Sequence, residues 1–200
     1  MRFRLLIPLL ALLLLVPVAA RAQDFGVMES AETIDRGNFK LKINPILVFG
    51  RNGGDHEPGV AALIGYGFTD RFDLEGGVAL YDGVTLFGGT AEAWVVKHPR
   101  IDLSVIGGLH AHRGDNTADI TGVDLAVLAS HHVTSRFEVY GALDVAFESV
   151  NNNGNFRTVH LVPGVEVRLS PDVDFLAEVG IALNDHARHY VSGGVAFYLR

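Results

Sequence analysis

From Asn38 to the C-terminus, apolar residues alternate with small or polar ones at a period of two, the pattern of β-strands with two unlike faces. Residues 136–147 are the clearest case. Phe137, Val139, Gly141, Leu143, Val145 and Phe147 share one face; Arg136, Glu138, Tyr140, Ala142, Asp144 and Ala146 share the other. Residues 158–169 and 173–183 repeat the pattern. Read this way throughout, the chain predicts ten strands near 38–50, 58–68, 72–81, 84–96, 101–112, 119–130, 136–147, 158–169, 173–183 and 190–199. Tight connections (69–71, 97–100, 131–135 and 170–172) alternate with longer polar ones (51–57, 113–118, 148–157 and 184–189), and Asp82-Gly83 makes a short hairpin turn. A turn residue followed by an apolar–acidic–apolar start recurs at Phe72-Asp73-Leu74, Ile101-Asp102-Leu103, Phe137-Glu138-Val139 and Val173-Asp174-Phe175, marking successive hairpins.

Alternation alone does not say which face meets solvent. In a soluble sandwich the apolar face packs inward; in a transmembrane barrel it meets lipid and the other face lines the lumen. The composition of the second face decides between them. It is rich in Gly and Ala (Gly65, Gly67, Gly77, Ala79, Gly88, Gly108, Ala126, Ala142, Gly164, Gly180, Gly194, Ala196), not in the Lys, Ser and Thr of a solvated sheet. Small residues suit a narrow interior on which all strands converge. The apolar face carries essentially no charge, as lipid requires, since Lys or Arg at the bilayer midplane costs about 2–4 kcal/mol. The strands match the ~9–11 residues of a tilted membrane strand. Most aromatics (Phe39, Phe49, Phe68, Phe72, Tyr81, Phe137, Phe147, Tyr190, Phe197, Tyr198) fall near strand ends, where interfacial girdles form. The predicted fold is all-β: a closed antiparallel ten-stranded transmembrane barrel over residues 38–200. Pro45 and Pro163 fall inside strands and predict a bulge or frayed pairing at each.

The first 22 residues have a different character. A basic start (Met1–Arg4), an apolar run with Pro8 and Pro17, and Ala20-Arg21-Ala22 have the layout of a secretory signal peptide. Sixteen apolar residues broken by two prolines fall short of the ~20 that span a bilayer as a helix. Export to the outer membrane is therefore expected, with Gln23 as the mature start. Residues 23–37 read as an N-terminal periplasmic segment, either a loose strap or a partial lumen plug. Without the leader, 13 basic residues face 23 acidic ones, a net charge of −10, which argues against a nucleic-acid partner. The absence of Cys excludes disulfides and thiolate chemistry, and no cofactor is expected.

The closing segment, Tyr190–Arg200 (YVSGGVAFYLR), resembles the C-terminal sorting strand that outer-membrane barrels present to the barrel-assembly machinery, although it ends Phe197-Tyr198-Leu199-Arg200 and not on an aromatic. Residues 31–39 (AETIDRGNF), the turn 66–74 (YGFTDRFDL) and Leu183-Asn184-Asp185 are similar to small bacterial outer-membrane transporters, including barrels encoded near aromatic-degradation genes. The resemblance implies a membrane barrel surrounded by outer-membrane lipid, assembled by that machinery, and a transport role.

Inward charges by parity are Lys40, Lys42, Asp73, Glu75, Glu92, Asp102, Asp124, Arg136, Glu138, Asp144, Glu166, Arg168, Asp174, Glu178 and Arg200. The acids, with Arg168, are the candidate lumen lining, and an acidic lining favours a positive solute. Ten strands at ~4.8 Å spacing give a backbone radius of only about 10 Å, so a salt-bridged plug is the competing reading. Arg136 with Glu138 and Glu166 with Arg168 look suited to cross-strand pairing. Six histidines lie toward the longer loops. His110 and His112 share a face at a spacing that suits a metal pair, and His160 lies at a similar height; independent solvated histidines are the alternative. No enzyme is expected: His189 and Ser192 fall on opposite faces, so no nucleophile has its base within reach. The expected function is passive or facilitated passage of a small polar or cationic solute; the alternative is a non-conducting surface-interaction or envelope-structural barrel.

Overall fold

The computed structural model describes residues 25–51, 54–114, 119–151 and 154–200. The predicted signal peptide and loop-tip residues Asn152 and Asn153 lie outside them. Ten strands run in chain order: β1 (Phe39–Val48), β2 (Glu57–Thr69), β3 (Phe72–Tyr81), β4 (Val84–Val96), β5 (Asp102–Gly114), β6 (Ile120–Thr134), β7 (Phe137–Val150), β8 (Gly154–Ser170), β9 (Val173–Ala182) and β10 (Tyr190–Leu199). Each pairs antiparallel with its sequence neighbours, and β1 pairs with β10 to close the barrel. Closure leaves no free strand edge.

The faces fall as the composition requires. On β1, Phe39, Leu41 and Ile43 are exposed outside, while Lys40, Lys42 and Asn44 are buried inside. Leu109, Val127 and Leu161 likewise face outward. At the tight-turn end, Phe39, Tyr66, Phe68 and Phe72 form a row with ring centroids 4.8, 4.9 and 6.2 Å apart, part of an aromatic girdle. Tyr81 and Tyr190, expected in that girdle, instead face inside and are buried.

The largest boundary differences lie in β6, β7 and β8. β6 runs to Thr134, β7 to Val150, and β8 begins at Gly154, so the expected loop over 148–157 is mostly ladder. An apolar cluster of Ile120, Val150 and Phe156 at this end supports the extension. At the opposite end, register shifts fall at Gly67/Thr69, Trp94/Val96, His132/Thr134 and Arg168/Ser170, so each longer tight hairpin closes through a bulge.

Both prolines interrupt the ladder on one side only. Pro45 remains paired with Val60, but the β1–β10 pairing is interrupted between Ile43 and Ile46 with the register unchanged. The Ser192 hydroxyl donates to the Pro45 carbonyl at 2.9 Å, replacing a lost ladder bond. Pro163 remains opposite Gly141, and the β8–β9 pairing is interrupted between Leu161 and Gly164 with the register unchanged. This is the frayed pairing expected of a residue that lacks an N–H.

Candidate functional site: the filled lumen

Of the two alternatives for the N-terminal segment, the structure selects the plug. Phe25–Asp35 runs inside the barrel, from the level of Asn44 toward the tight-turn end, with Met28, Ala31 and Ile34 fully buried. The inward glycines of the wall are where the segment comes close. A Cβ at Gly88 would stand 2.6 Å from the Phe25 ring, one at Gly65 would stand 2.5 Å from Ile34 Cδ1, and one at Gly67 would strike the backbone of Ile34 and Asp35. The inside is not only small and ionised. Ile46, Leu86, Ile106, Leu128 and Val162 form an apolar belt, and Phe25 and Val27 pack against it. The sequence reading missed this belt because β1, β4, β5, β6 and β8 each contribute only one of these five residues.

Below the belt the attachments are polar. Lys42 Nζ lies 2.8 Å from Glu29 Oε1 and 3.0 Å from Glu75 Oε2; Lys40 Nζ lies 3.0 Å from Glu29 Oε1 and 2.5 Å from Glu75 Oε1. Two ammoniums and two carboxylates thus form a neutral buried quartet, the arrangement that offsets the desolvation of each charge. Asp73 accepts the Ile34 N–H at 2.7 Å, and Ser130 Oγ accepts the Ala31 N–H at 3.3 Å. Near the tight-turn rim, His132 lies 2.9 Å from Glu32 and 3.5 Å from Glu138.

Glu178 is engaged through both carboxylate oxygens. Its Oε1 accepts from Val27 N–H at 2.8 Å and Tyr190 O–H at 3.1 Å; its Oε2 accepts from Met28 N–H at 2.6 Å and Tyr140 O–H at 3.0 Å. Gly26 (φ +76°) and Met28 (φ +47°) bend the segment so that successive N–H groups converge on this carboxylate, an anion nest. A left-handed conformation costs a non-glycine residue about 1–2 kcal/mol, which the charge-assisted bonds offset.

The remaining lining candidates spread over both halves of the barrel. Glu92 and Asp102 are buried on the tight-turn side, where Trp94 Nε1–H donates to Asp102 at 3.2 Å. Arg168 pairs with Asp174 across β8–β9 at 3.7 Å, not with Glu166, and Glu138 pairs with His132, not with Arg136. Glu166, Asp174, Lys40 and Tyr198 border an open 580 Å³ cavity at the tight-turn end. Beside the segment, between Phe25–Val27 and the wall that carries Asp124 and Asp144, lies a cavity of only about 70 Å³.

The longer-loop half holds His110, His112 and His160. His110 and His112 face inward with ring centroids 5.1 Å apart, and His110 meets Asp124 and Glu148. His160 is directed elsewhere: its Nε2–H donates to the Arg188 carbonyl at 3.0 Å and its ring packs on Tyr190 at 5.5 Å. Arg188 in turn forms a bidentate pair with Glu57 at 2.7 and 2.8 Å. Ser192 and His189 act separately, Ser192 toward Pro45 and His189 as acceptor for the Ala182 N–H at 3.1 Å.

No family model matches the chain, and no curated protein matches it in sequence. Solved structures do match in shape. An outer-membrane channel from Pseudomonas putida F1 aligns over 89% of this chain and 100% of its own, with a TM-score of 0.57 and 8% identity. A bacterial polysaccharide outer-membrane secretin aligns over 82% of this chain with a TM-score of 0.51 and 13% identity; the match spans 66% of the secretin chain, just under two thirds. At such identities the likeness is one of fold: this chain is a closed ten-stranded barrel of the bacterial outer-membrane type.

Proposed function

We propose that the protein passes a small polar or cationic solute across the outer membrane, and that Phe25–Asp35 closes the path at rest. The observation that carries this reading is the way the segment is held below the apolar belt. Lys40 and Lys42 hold Glu29 of the segment through ion pairs, and Asp73 and Glu178 accept its backbone N–H groups, contacts that water or hydrated ions can replace. Withdrawal of the segment leaves a wall on which Asp73, Glu75, Glu92 and Glu178 outnumber Lys40 and Lys42, a lining that favours positive charge. A channel among the barrels of similar shape is consistent with this reading. The second reading, a non-conducting surface or structural barrel, is favoured by the 70 Å³ left beside the segment.

Planar-bilayer recording separates the two. The refolded mature chain should rest closed with rare openings, and a chain lacking residues 23–35 should open often and prefer cations. Glu29→Lys, which brings a third ammonium to Lys40 and Lys42, should act in the same direction. If both variants refold to heat-modifiable barrels and neither conducts, the passage reading is wrong.

A further inference from the structure

We propose that the inner wall of β5, β6 and β7, on the longer-loop side of the segment, is a binding site for a zinc-class divalent cation, with His110, His112 and Glu148 as ligands. This goes beyond the passage reading and does not depend on it.

The register builds the site. His110 on β5 pairs with Gly122 on β6, and Gly122 pairs with Glu148 on β7, so the three residues form one row across three strands. Neighbouring strands lie ~4.8 Å apart, so a histidine and a glutamate two strands apart meet only if nothing stands between them. Gly122 leaves that space open. A Cβ there would overlap the His110 ring and stand 2.9 Å from Glu148 Oε2. His110 Nε2 lies 2.9 Å from Glu148 Oε2, and one ligand atom from each of His110, His112 and Glu148 lies within 4.8 Å of the others. Ligands bonded to Zn²⁺ at ~2.0–2.2 Å in a tetrahedron stand a little over 3 Å apart, so a modest side-chain adjustment admits the ion.

Two further features point to an ion. His112 is only 3% exposed, and its Nε2 has no hydrogen-bond partner among the described residues, an expensive state for a buried polar atom. His110 also has the support expected of a metal ligand. Its Nδ1 lies 2.8 Å from Asp124, which holds the proton on that nitrogen and turns Nε2 toward the shared centre, the carboxylate–histidine–metal relay. Two imidazoles and one carboxylate favour Zn²⁺, Co²⁺ or Ni²⁺ over Mg²⁺ and Ca²⁺, and they leave a fourth position open. A bare salt bridge of protonated His110 with its two carboxylates is the competing account; it gives His112 no role.

The test is calorimetric titration of Zn²⁺ into the chelator-stripped, refolded full chain without a histidine tag, supported by the visible spectrum of the Co²⁺ form. One ion per chain and a tetrahedral Co²⁺ spectrum are expected. His112→Gln, Glu148→Gln and Gly122→Ala should lose binding, and Asp124→Asn should weaken it about 10–100-fold. Heat-modifiable mobility shows that each variant is folded. A folded barrel that takes up no Zn²⁺, or uptake unchanged by His112→Gln and Glu148→Gln, overturns the proposal. Binding is read in detergent without conduction, so a silent barrel can still bind the ion and a conducting one can fail to.

Discussion

The carboxylate of Glu29 lies 2.8 Å from the ammonium of Lys42, both buried inside the barrel, one on the segment and one on its wall. Lys40 and Lys42 are two of only three lysines in the chain, with Lys97 the third. Both serve to hold the segment at one height. Removing one partner of a buried pair strands the other charge, which costs far more than the intact pair contributes.

Lys42→Met should therefore release the segment, because Glu29 and Glu75 would then share a single cation. Loss of one buried partner costs about 3–5 kcal/mol, which corresponds to at least ~100-fold in the undocked fraction. Limited proteolysis of refolded protein reads this directly: cleavage within residues 25–35 should accelerate while the barrel stays intact. An unchanged cleavage rate would show that the apolar belt alone holds the segment.

Glu178 and its two tyrosines form a unit with the glycines opposite. Tyr140 pairs with Gly164 and Tyr190 with Gly180, and each ring lies over its glycine where a Cβ would collide with it. Gly180→Ala should push Tyr190 off Glu178 and destabilise the barrel by about 1–3 kcal/mol, the usual cost of overpacking. Glu178→Gln replaces an acceptor oxygen with an amide donor in front of existing donors, at about 1–3 kcal/mol. Urea titrations in detergent should show both losses, and the double variant should fall short of their sum because both act on Tyr190.

The outer face can be tested with one residue. Val127, midway along β6 and 52% exposed on the outside, should tolerate Leu but not Arg. Arg at the bilayer midplane costs about 2–4 kcal/mol. Refolding yield into phospholipid vesicles should fall for Val127→Arg and hold for Val127→Leu. Equal yields would count against lipid as the solvent of this face.

The legible part of the lumen was the part that periodicity covers. Parity placed Asp73, Glu75, Glu92 and Glu178 inside, where they are buried. It also put His110 and His112 on one face. Glu148 escaped because β7 was expected to end at Phe147; carried one residue further, the same alternation puts Glu148 inside with Glu138 and Asp144. Glu29 left no comparable signal, since it lies in a segment without period. His160 was grouped with the wrong partners because similar height along the barrel says nothing of position around it.

Strand number, hairpin order and the outward aim of the apolar face were determined by the amino-acid sequence itself. Each is a property of a few consecutive residues, governed by side-chain alternation, turn chemistry and the cost of charge in lipid. Only the tertiary structure decided that the lumen is filled and what fills it. Val27 and Met28 meet Glu178 across about 150 positions of chain, and His110 meets Glu148 only because Gly122 lies between them. Such contacts follow from closure of the barrel, which brings distant inner faces onto one axis, and no local pattern along a strand specifies its partner across that axis.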